Sequence, residues 1–444
     1  MNLFDWQVPY ADRISTVLRE RLSGLLILPP GGGKTYIAAE VHRRKVTGRL
    51  YHVVFCPKSV VETWRRVLDS FGLADTHFVI NYEQLTSASK YAGSGDLGKW
   101  NTRGATKLWI WNPKLVDQID VIFDEAHRCN GQGSKTGELL IGARKQEIPH
   151  LLLTATPPDS PLKMQALGIS LDLFPRERFW DWAISNGARK SYIHKGFEFP
   201  MYSQKDRDRA RGYLEEINKA LFPERGVVMT HEELRRHYPK GHLYLQPLTI
   251  EDNEKFEAKH AAELQALAKA VEDSELKLVE ALHLHQELEF RKIPGFVEQA
   301  KDLLAEGSSV VCFVCYRQTA ISLAEELDAG LIIGEQSSQE RQKLIDDFQA
   351  NKTRKLVLTV SAGSEAISLH DLHGDHPRWS LLSPIWNPVI LKQALGRIQR
   401  AGGKSVVNQR ILVAGGMEER IYRRCLQRLQ NMGALTGDEG FNLE

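Results

Sequence analysis

Two stretches of this chain carry one rhythm: a short apolar run, a helix-like segment, then another apolar run. In the first 160 residues the runs are GLLIL (24–28), YHVVF (51–55), HFVI (77–80), KLWIW (107–111), VIF (121–123) and HLLL (150–153). Helix-like stretches at 34–45 and 60–71 separate several of them. The rhythm returns late, in SSVVCFV (308–314), GLII (330–333), KLVLTV (355–360), WSLLS (379–383) and QRILVA (409–414). A run that is apolar at every position belongs to a strand buried on both faces, and helices between such strands are the crossovers that parallel pairing requires. The pattern predicts an α/β protein with two parallel-sheet lobes in tandem.

The middle of the chain breaks the rhythm. Residues 161–290 read as a helical, partly basic inter-lobe segment between a first lobe (1–160) and a second (291–444). Its first part is mixed and aromatic-rich, with basic clusters RDRARG (207–212) and RRHYPKGH (235–242). A long helical pattern follows over 252–292, with Leu264, Val271 and Leu278 seven residues apart and Ser274 and His285 interrupting the stripe. Too few clean heptads are present for a coiled-coil arm, so a helix packed on a lobe is expected. His283 and His285 fall on different helix faces and are not read as metal ligands.

Composition narrows the function classes. With 58 Lys and Arg against 56 Asp and Glu, the net charge is +2, which excludes a histone-like binder but allows a local basic groove. No apolar run reaches the roughly 18 to 20 residues of a membrane span. The first 13 residues contain Asp5, Asp12 and Arg13, unlike a signal peptide. Five cysteines in 444 residues do not make a disulfide framework. Cys312-x-x-Cys315 lies in an apolar run without a second Cys/His pair, so a buried strand is the better reading than zinc. A reducing, intracellular and cytoplasmic location is expected, the host cytoplasm if the source is viral or phage.

The chemistry concentrates in Leu28-Pro-Pro30-Gly31-Gly32-Gly33-Lys34-Thr35, which follows a strand-like run and opens a helical stretch. Glycines there let backbone N–H groups approach phosphates, and the helix N-terminus adds positive potential. In such a loop Lys34 reaches the β- and γ-phosphates and Thr35 ligates Mg2+. The strict pattern wants Gly where Leu28 stands. Ninety residues after Lys34, Val121-Ile122-Phe123-Asp124-Glu125 places two carboxylates at the end of a buried strand. An ATPase of this kind needs one carboxylate to hold the metal, which suits Asp124, and a neighbour to handle the attacking water, which suits Glu125.

Together these segments resemble the motifs of superfamily 2 helicases and translocases, in order and over nearly the whole chain. Leu28–Thr35 resembles motif I, FCPKSVVETW (55–64) motif Ia and INYEQL (80–85) motif Ib. DEAH (124–127) is similar to motif II and LTATP (153–157) to motif III. VCFVCYRQTA (311–320), LTVSAGSEAISLHD (358–371) and QALGRIQRAG (393–402) resemble motifs IV, V and VI. The late motifs look most like the Swi/Snf-like helicases of phages and large DNA viruses. The chain departs from that group at Thr154-Ala155-Thr156, where T-G-T is usual, and lacks the terminal I-G-Q of motif VI. RNA helicases of the DEAH type normally carry S-A-T there, so DNA is favoured over RNA.

The resemblance implies RecA-like lobes with ATP in a cleft between them. It implies arginine fingers at Arg397 and Arg400, completed by Gln393, an adenine-reading Gln7 after Trp6, and lobe coupling through Thr154 and Thr156. It also implies nucleic-acid contacts at Pro57, Lys58, Tyr82, Arg317 and Ser361, with base stacking open to Tyr82 and Trp64. The expected activity is an ATP-dependent helicase or translocase, most of all on DNA. An RNA helicase and a non-motor, ATP-gated DNA-binding switch are the alternatives. With 33 residues before Lys34 and 44 after Arg400, no separate DNA-reading domain is expected, which leaves room for a protein partner that supplies specificity.

Overall fold

The computed structural model describes residues 2–86, 97–101, 108–129, 133–191, 196–201, 203–250, 258, 278–363 and 367–436. The chain divides into two compact units, Met1–Thr230 with Asn431–Glu439 and His231–Gln430 with Gly440–Glu444.

Unit 1 is built on β1 (Ser23–Ile27), β2 (Tyr51–Cys56), β3 (His77–Asn81), β4 (Gly98–Asn101), β5 (Leu108–Trp111), β6 (Ile119–Phe123), β7 (His150–Thr154), β8 (Arg189–Lys190), β9 (Phe197–Glu198) and β10 (Gly226–Val228). Six of these form a sheet in the order β10-β1-β7-β6-β2-β3, parallel throughout. β1, β6 and β7 are buried at every position, as their unbroken apolar runs require. Leu25 aligns with Leu152, and Val53 with Val121. The helices Lys34–Arg43, Val61–Ser70 and Lys135–Lys145 follow β1, β2 and β6.

One expected strand of this sheet lies elsewhere. The KLWIW run forms β5, which pairs antiparallel with β4 in a separate two-stranded sheet, Trp100 opposite Trp109. The cause is one-sided burial: Trp109 and Trp111 are buried while Leu108 and Ile110 are half-exposed. Gln146 clamps this strand to the main body, accepting from Trp111 N at 2.7 Å and donating to Trp111 O at 3.1 Å. The sixth strand of the main sheet is instead β10, three residues long, which pairs with β1. It arrives after the helices Gln165–Ser170, Phe179–Ser185 and Gln204–Leu221, all within unit 1. Ser203 starts the last of these with a capping box, its hydroxyl accepting from Asp206 N.

Unit 2 contains β11 (Gly241–Pro247), β12 (Ser309–Val314), β13 (Gly330–Ile332), β14 (Lys355–Thr359), β15 (Arg378–Leu382) and β16 (Val407–Val413). They form a second parallel sheet in the order β11-β16-β15-β12-β14-β13. β11 was not among the apolar runs, because only Leu243 on it is fully buried. It pairs with β16 over seven residues, Gly241 with Val407 through Pro247 with Val413. Of the long helical pattern, Leu278–Arg291 is a helix; the heptad positions Leu264 and Val271 lie outside the described residues. His285 is buried and bonds the Tyr316 hydroxyl at 2.8 Å, while His283 is exposed. Cys312 lies buried in β12, and both it and Cys315 are free thiols. No helix among the described residues is long and apolar enough to cross a membrane.

Candidate nucleotide site

In unit 1 the motif residues gather at the carboxyl edge of the sheet, where ligands bind in open parallel α/β folds. β1 runs into Leu28–Gly33, β6 into Asp124-Glu125 and β7 into Ala155-Thr156. The loop takes its shape from its glycines. Gly31 and Gly33 adopt φ of +82° and +80°, the left-handed region that side chains oppose. Gly33 caps the helix Lys34–Arg43, so Lys34 and Thr35 are its first two residues. Gly32 N donates to Pro29 O at 3.0 Å, folding the loop back on itself. Leu28, where the strict pattern has Gly, is fully buried under the loop, and its N–H donates to Thr154 O at 3.2 Å.

Gln7 sits directly against this loop. Its Nε2 donates to Gly32 O at 3.2 Å and its Oε1 accepts from Phe4 N at 3.1 Å. A Cβ on Gly33 would collide with that amide nitrogen. Gln7 thus ties the N-terminal segment to the loop.

Asp124 is 5% exposed and firmly held. Its Oδ2 accepts from Trp64 Nε1 at 2.8 Å and its Oδ1 from the Glu125 N–H at 2.9 Å. Burial, then the neighbouring Glu125 charge, raises its carboxyl to about 6, while Lys34 pulls the other way. Two adjacent carboxylates in a buried setting carry more negative charge than Lys34 offsets, and hard oxygen donors of this kind suit Mg2+. The residues therefore fit that ion. Glu125 adopts φ of +50°, a left-handed conformation unusual for a non-glycine residue. Its Oε2 is 3.3 Å from His127 Nδ1. His127 in turn meets Thr156 Oγ1 at 3.0 Å and Thr154 Oγ1 at 3.4 Å, linking motif II to motif III inside unit 1.

The remaining expected contacts divide. Lys58 is exposed just beyond β2, and Pro57 is buried beside it. Tyr82 is 2% exposed, and its hydroxyl donates to Asp124 O at 2.8 Å. Trp64 is fully buried on Asp124. These two aromatics are interior supports of the acidic strand end, the core placement that aromatics in α/β lobes usually take. The bond from Trp64 across 60 residues had no sequence signal.

In unit 2, Arg317 opens a helix after β12 and is exposed, pairing with Glu335 at 3.0 Å. Ser361 follows β14 and is exposed. Gln393 is buried on the helix Pro388–Leu395. That helix stops at Leu395 with Gly396 as its cap, so Arg397 and Arg400 sit in the segment just beyond it. Arg400 donates to Ser368 Oγ at 2.6 Å and Ile367 O at 2.9 Å, and Arg397 to Ile367 O at 3.3 Å. Both arginines are thereby seated on motif V.

Comparison with known proteins places the chain among helicases. The family model for the res subunit of type III restriction enzymes matches residues 1–159, and the helicase conserved C-terminal domain matches 295–402. A protein of Acanthamoeba polyphaga mimivirus, provisionally named an ATP-dependent RNA helicase, is 30% identical over 98% of this chain and 84% of its own length. A Bacillus subtilis protein provisionally named an ATP-dependent helicase/translocase is 22% identical over 83% of this chain, which spans 41% of that protein. A Bos taurus DNA excision repair protein is 35% identical over 102 residues, 22% of this chain and 8% of its own. The chain belongs to the superfamily 2 helicases. It is an ATP-hydrolysing enzyme of a nucleic-acid-binding class.

Proposed function

We propose that this chain is a DNA translocase or helicase driven by ATP hydrolysis at the Lys34 loop. The observation that carries the reading is the carboxyl edge of the first sheet. A left-handed glycine loop, the N-terminus of a ten-residue helix and a buried, hydrogen-bonded Asp124 converge there. In this reading Gly31, Gly32 and Gly33 cradle the phosphates with backbone N–H groups, Pro30, which has no N–H, shapes the loop beside them, and Gln7 steadies the loop beside the adenine. Lys34 neutralises the β- and γ-phosphates. Thr35 and Asp124 hold Mg2+, which supplies charge neutralisation at the transferred phosphoryl group. Glu125 accepts the proton of the attacking water, and His127 fixes its carboxylate.

Arg397 and Arg400 serve as fingers that stabilise the transition state, worth ~10³–10⁵ in rate, with Gln393 positioning their turn. Lys58, Arg317 and Ser361 contact the nucleic-acid backbone, and Pro57 shapes the turn that presents Lys58. DNA is favoured by the Thr154-Ala155-Thr156 triplet, which departs from the S-A-T of DEAH-type RNA helicases, and by the DNA repair function named for the Bos taurus relative. RNA is the second reading, because the mimivirus relative is named for RNA.

ATPase rates with single-stranded DNA, duplex DNA, branched DNA and RNA side by side test this. DNA stimulation, abolished in Lys34→Ala and stalled with ATP bound in Glu125→Gln, is the expected result. Arg400→Ala should leave ATP affinity largely intact and cut the rate by several orders of magnitude. Stimulation by RNA alone would replace DNA as the substrate, and full activity in Lys34→Ala would remove the proposed site.

A further inference from the structure

A second cluster of chemistry lies at the opposite, amino edge of the first sheet, and none of the helicase motifs accounts for it. His42 is near the carboxyl end of the helix Lys34–Arg43, His52 is the second residue of β2, and His77 is the first of β3. Their exposures are 4%, 4% and 8%. One ring nitrogen from each lies within 4.8 Å of the other two. Behind them stands Asp120, the second residue of β6, which accepts from His52 Nδ1 at 2.7 Å and from the Thr47 hydroxyl.

The hydrogen bonds dictate the tautomers. His77 Nδ1 is 2.8 Å from Leu73 O, so Nδ1 carries the proton and Nε2 keeps a lone pair. His52 Nδ1 donates to Asp120, so its Nε2 also keeps a lone pair. His42 is then the conflict. Its Nδ1 is 2.9 Å from the His77 Nε2 lone pair and its Nε2 is 3.5 Å from Asp120 Oδ1. A neutral His42 has one proton for two acceptors. If Nδ1 donates to His77, the Nε2 lone pair faces a carboxylate. Charging the ring would satisfy both only by holding a cationic imidazole, 4% exposed, against two other imidazoles.

We propose that His42, His52 and His77 bind one divalent cation of the zinc class, with Asp120 and the Leu73 carbonyl orienting the imidazoles. A cation that takes lone pairs from His42 Nδ1, His52 Nε2 and His77 Nε2 leaves the His42 proton on Nε2, facing Asp120. Every ring nitrogen then has a partner of the right sign. Two nitrogens on a tetrahedral zinc ion lie about 3.3 Å apart, given Zn–N bonds of about 2.0–2.1 Å, so the 2.9 Å pair needs only a small adjustment. The donor set is three imidazoles, two with a hydrogen-bonded second nitrogen and the third with its second nitrogen 3.5 Å from Asp120, an environment that suits such an ion, and a water molecule completes its four positions. The ion also joins three elements. It pins the far end of the helix that presents Lys34, eight residues or about 12 Å along the axis, to the first turns of β2 and β3.

The full chain, stripped with a chelator and titrated with cobalt(II) in excess magnesium, tests the proposal. One equivalent should bind with the visible bands of a four-coordinate nitrogen site and without thiolate charge transfer in the near-ultraviolet, and zinc should displace it. His52→Gln and His77→Gln keep size and a hydrogen bond, and each should weaken binding about 100-fold; Asp120→Asn should weaken it about 10-fold. Far-ultraviolet circular dichroism and binding of an ATP analogue confirm that the variants are folded. Should they not fold, equimolar zinc should still raise the melting temperature of the stripped wild-type chain. A folded chain that takes up neither metal, or a cobalt spectrum that carries thiolate bands or survives both histidine substitutions, would leave the cluster as a hydrogen-bond network and overturn the site.

Discussion

At the residue scale, the buried Asp124 carboxylate is held by a residue outside its own DEAH segment. Trp64 Nε1 donates to its Oδ2 at 2.8 Å from a fully buried ring. A hydrogen bond to a charged group is worth ~1.5–3 kcal/mol. Trp64→Phe keeps most of the packing and removes that bond, so Asp124 loses both a donor and its fixed orientation. The expected result is a higher Mg2+ requirement for ATP hydrolysis and a rate lowered about 10- to 100-fold, with modest loss of stability. A Mg2+ titration of the ATPase reads this directly, and a variant with the wild-type Mg2+ profile would reduce Trp64 to filling space.

At the element scale, unit 2 is organised around a buried ion pair. Lys292 Nζ is 2.8 Å from Glu418 Oε1, with both side chains 0% exposed. Lys292 also donates to Leu412 O at 3.1 Å, and Glu418 Oε2 accepts from Ala414 N at 2.7 Å. The pair therefore joins the start of the helix Ile293–Ala305 to the end of β16 and the first turn of the helix Gly415–Thr436. Removing one partner of a buried pair strands the other charge, which costs ~3–5 kcal/mol. Lys292→Met should lose about that much in urea unfolding. Lys292→Met with Glu418→Leu should recover about half, because the Ala414 N–H then remains without its acceptor. Equal stability of the single and double variants would show that the charge itself is not what costs.

At the scale of the whole molecule, each unit carries a histidine that its core keeps neutral. Burial pushes His150 in unit 1 down to about 4 and His285 in unit 2 down to about 3. Both folded values lie below the unfolded value of about 6.5, so between these limits the unfolded chain binds more protons. Stability is full above pH 6.5 and falls as the pH drops toward 4. At pH 5.5 each histidine costs about 1 kcal/mol. Melting temperatures should therefore drop from pH 7.5 to 5.5. His150→Gln, which keeps a partner for Ser170, should flatten the unit 1 transition by its share. A curve unchanged by that substitution would place the acid sensitivity elsewhere.

What was legible in the sequence was local. Apolar runs announce buried strands, and eight of the runs became interior strands of two parallel sheets. Gly33-Lys34 announces a helix start because only glycine takes the φ of +80° that caps it. The edge strands β3 and β13 were legible as apolar runs, but β10 and β11 were not, since β10 has three residues and β11 buries one side chain fully, so their pairing partners decide them. The KLWIW run could not reveal its hairpin, because a strand buried on one face and one buried on two look alike when every residue is apolar. Nor could the chain order bring Trp64 to Asp124, or His42, His52 and His77 to Asp120. Those meetings arise because parallel strands separated by helices bring residues dozens apart to one edge of a sheet, and which edge they reach depends on register.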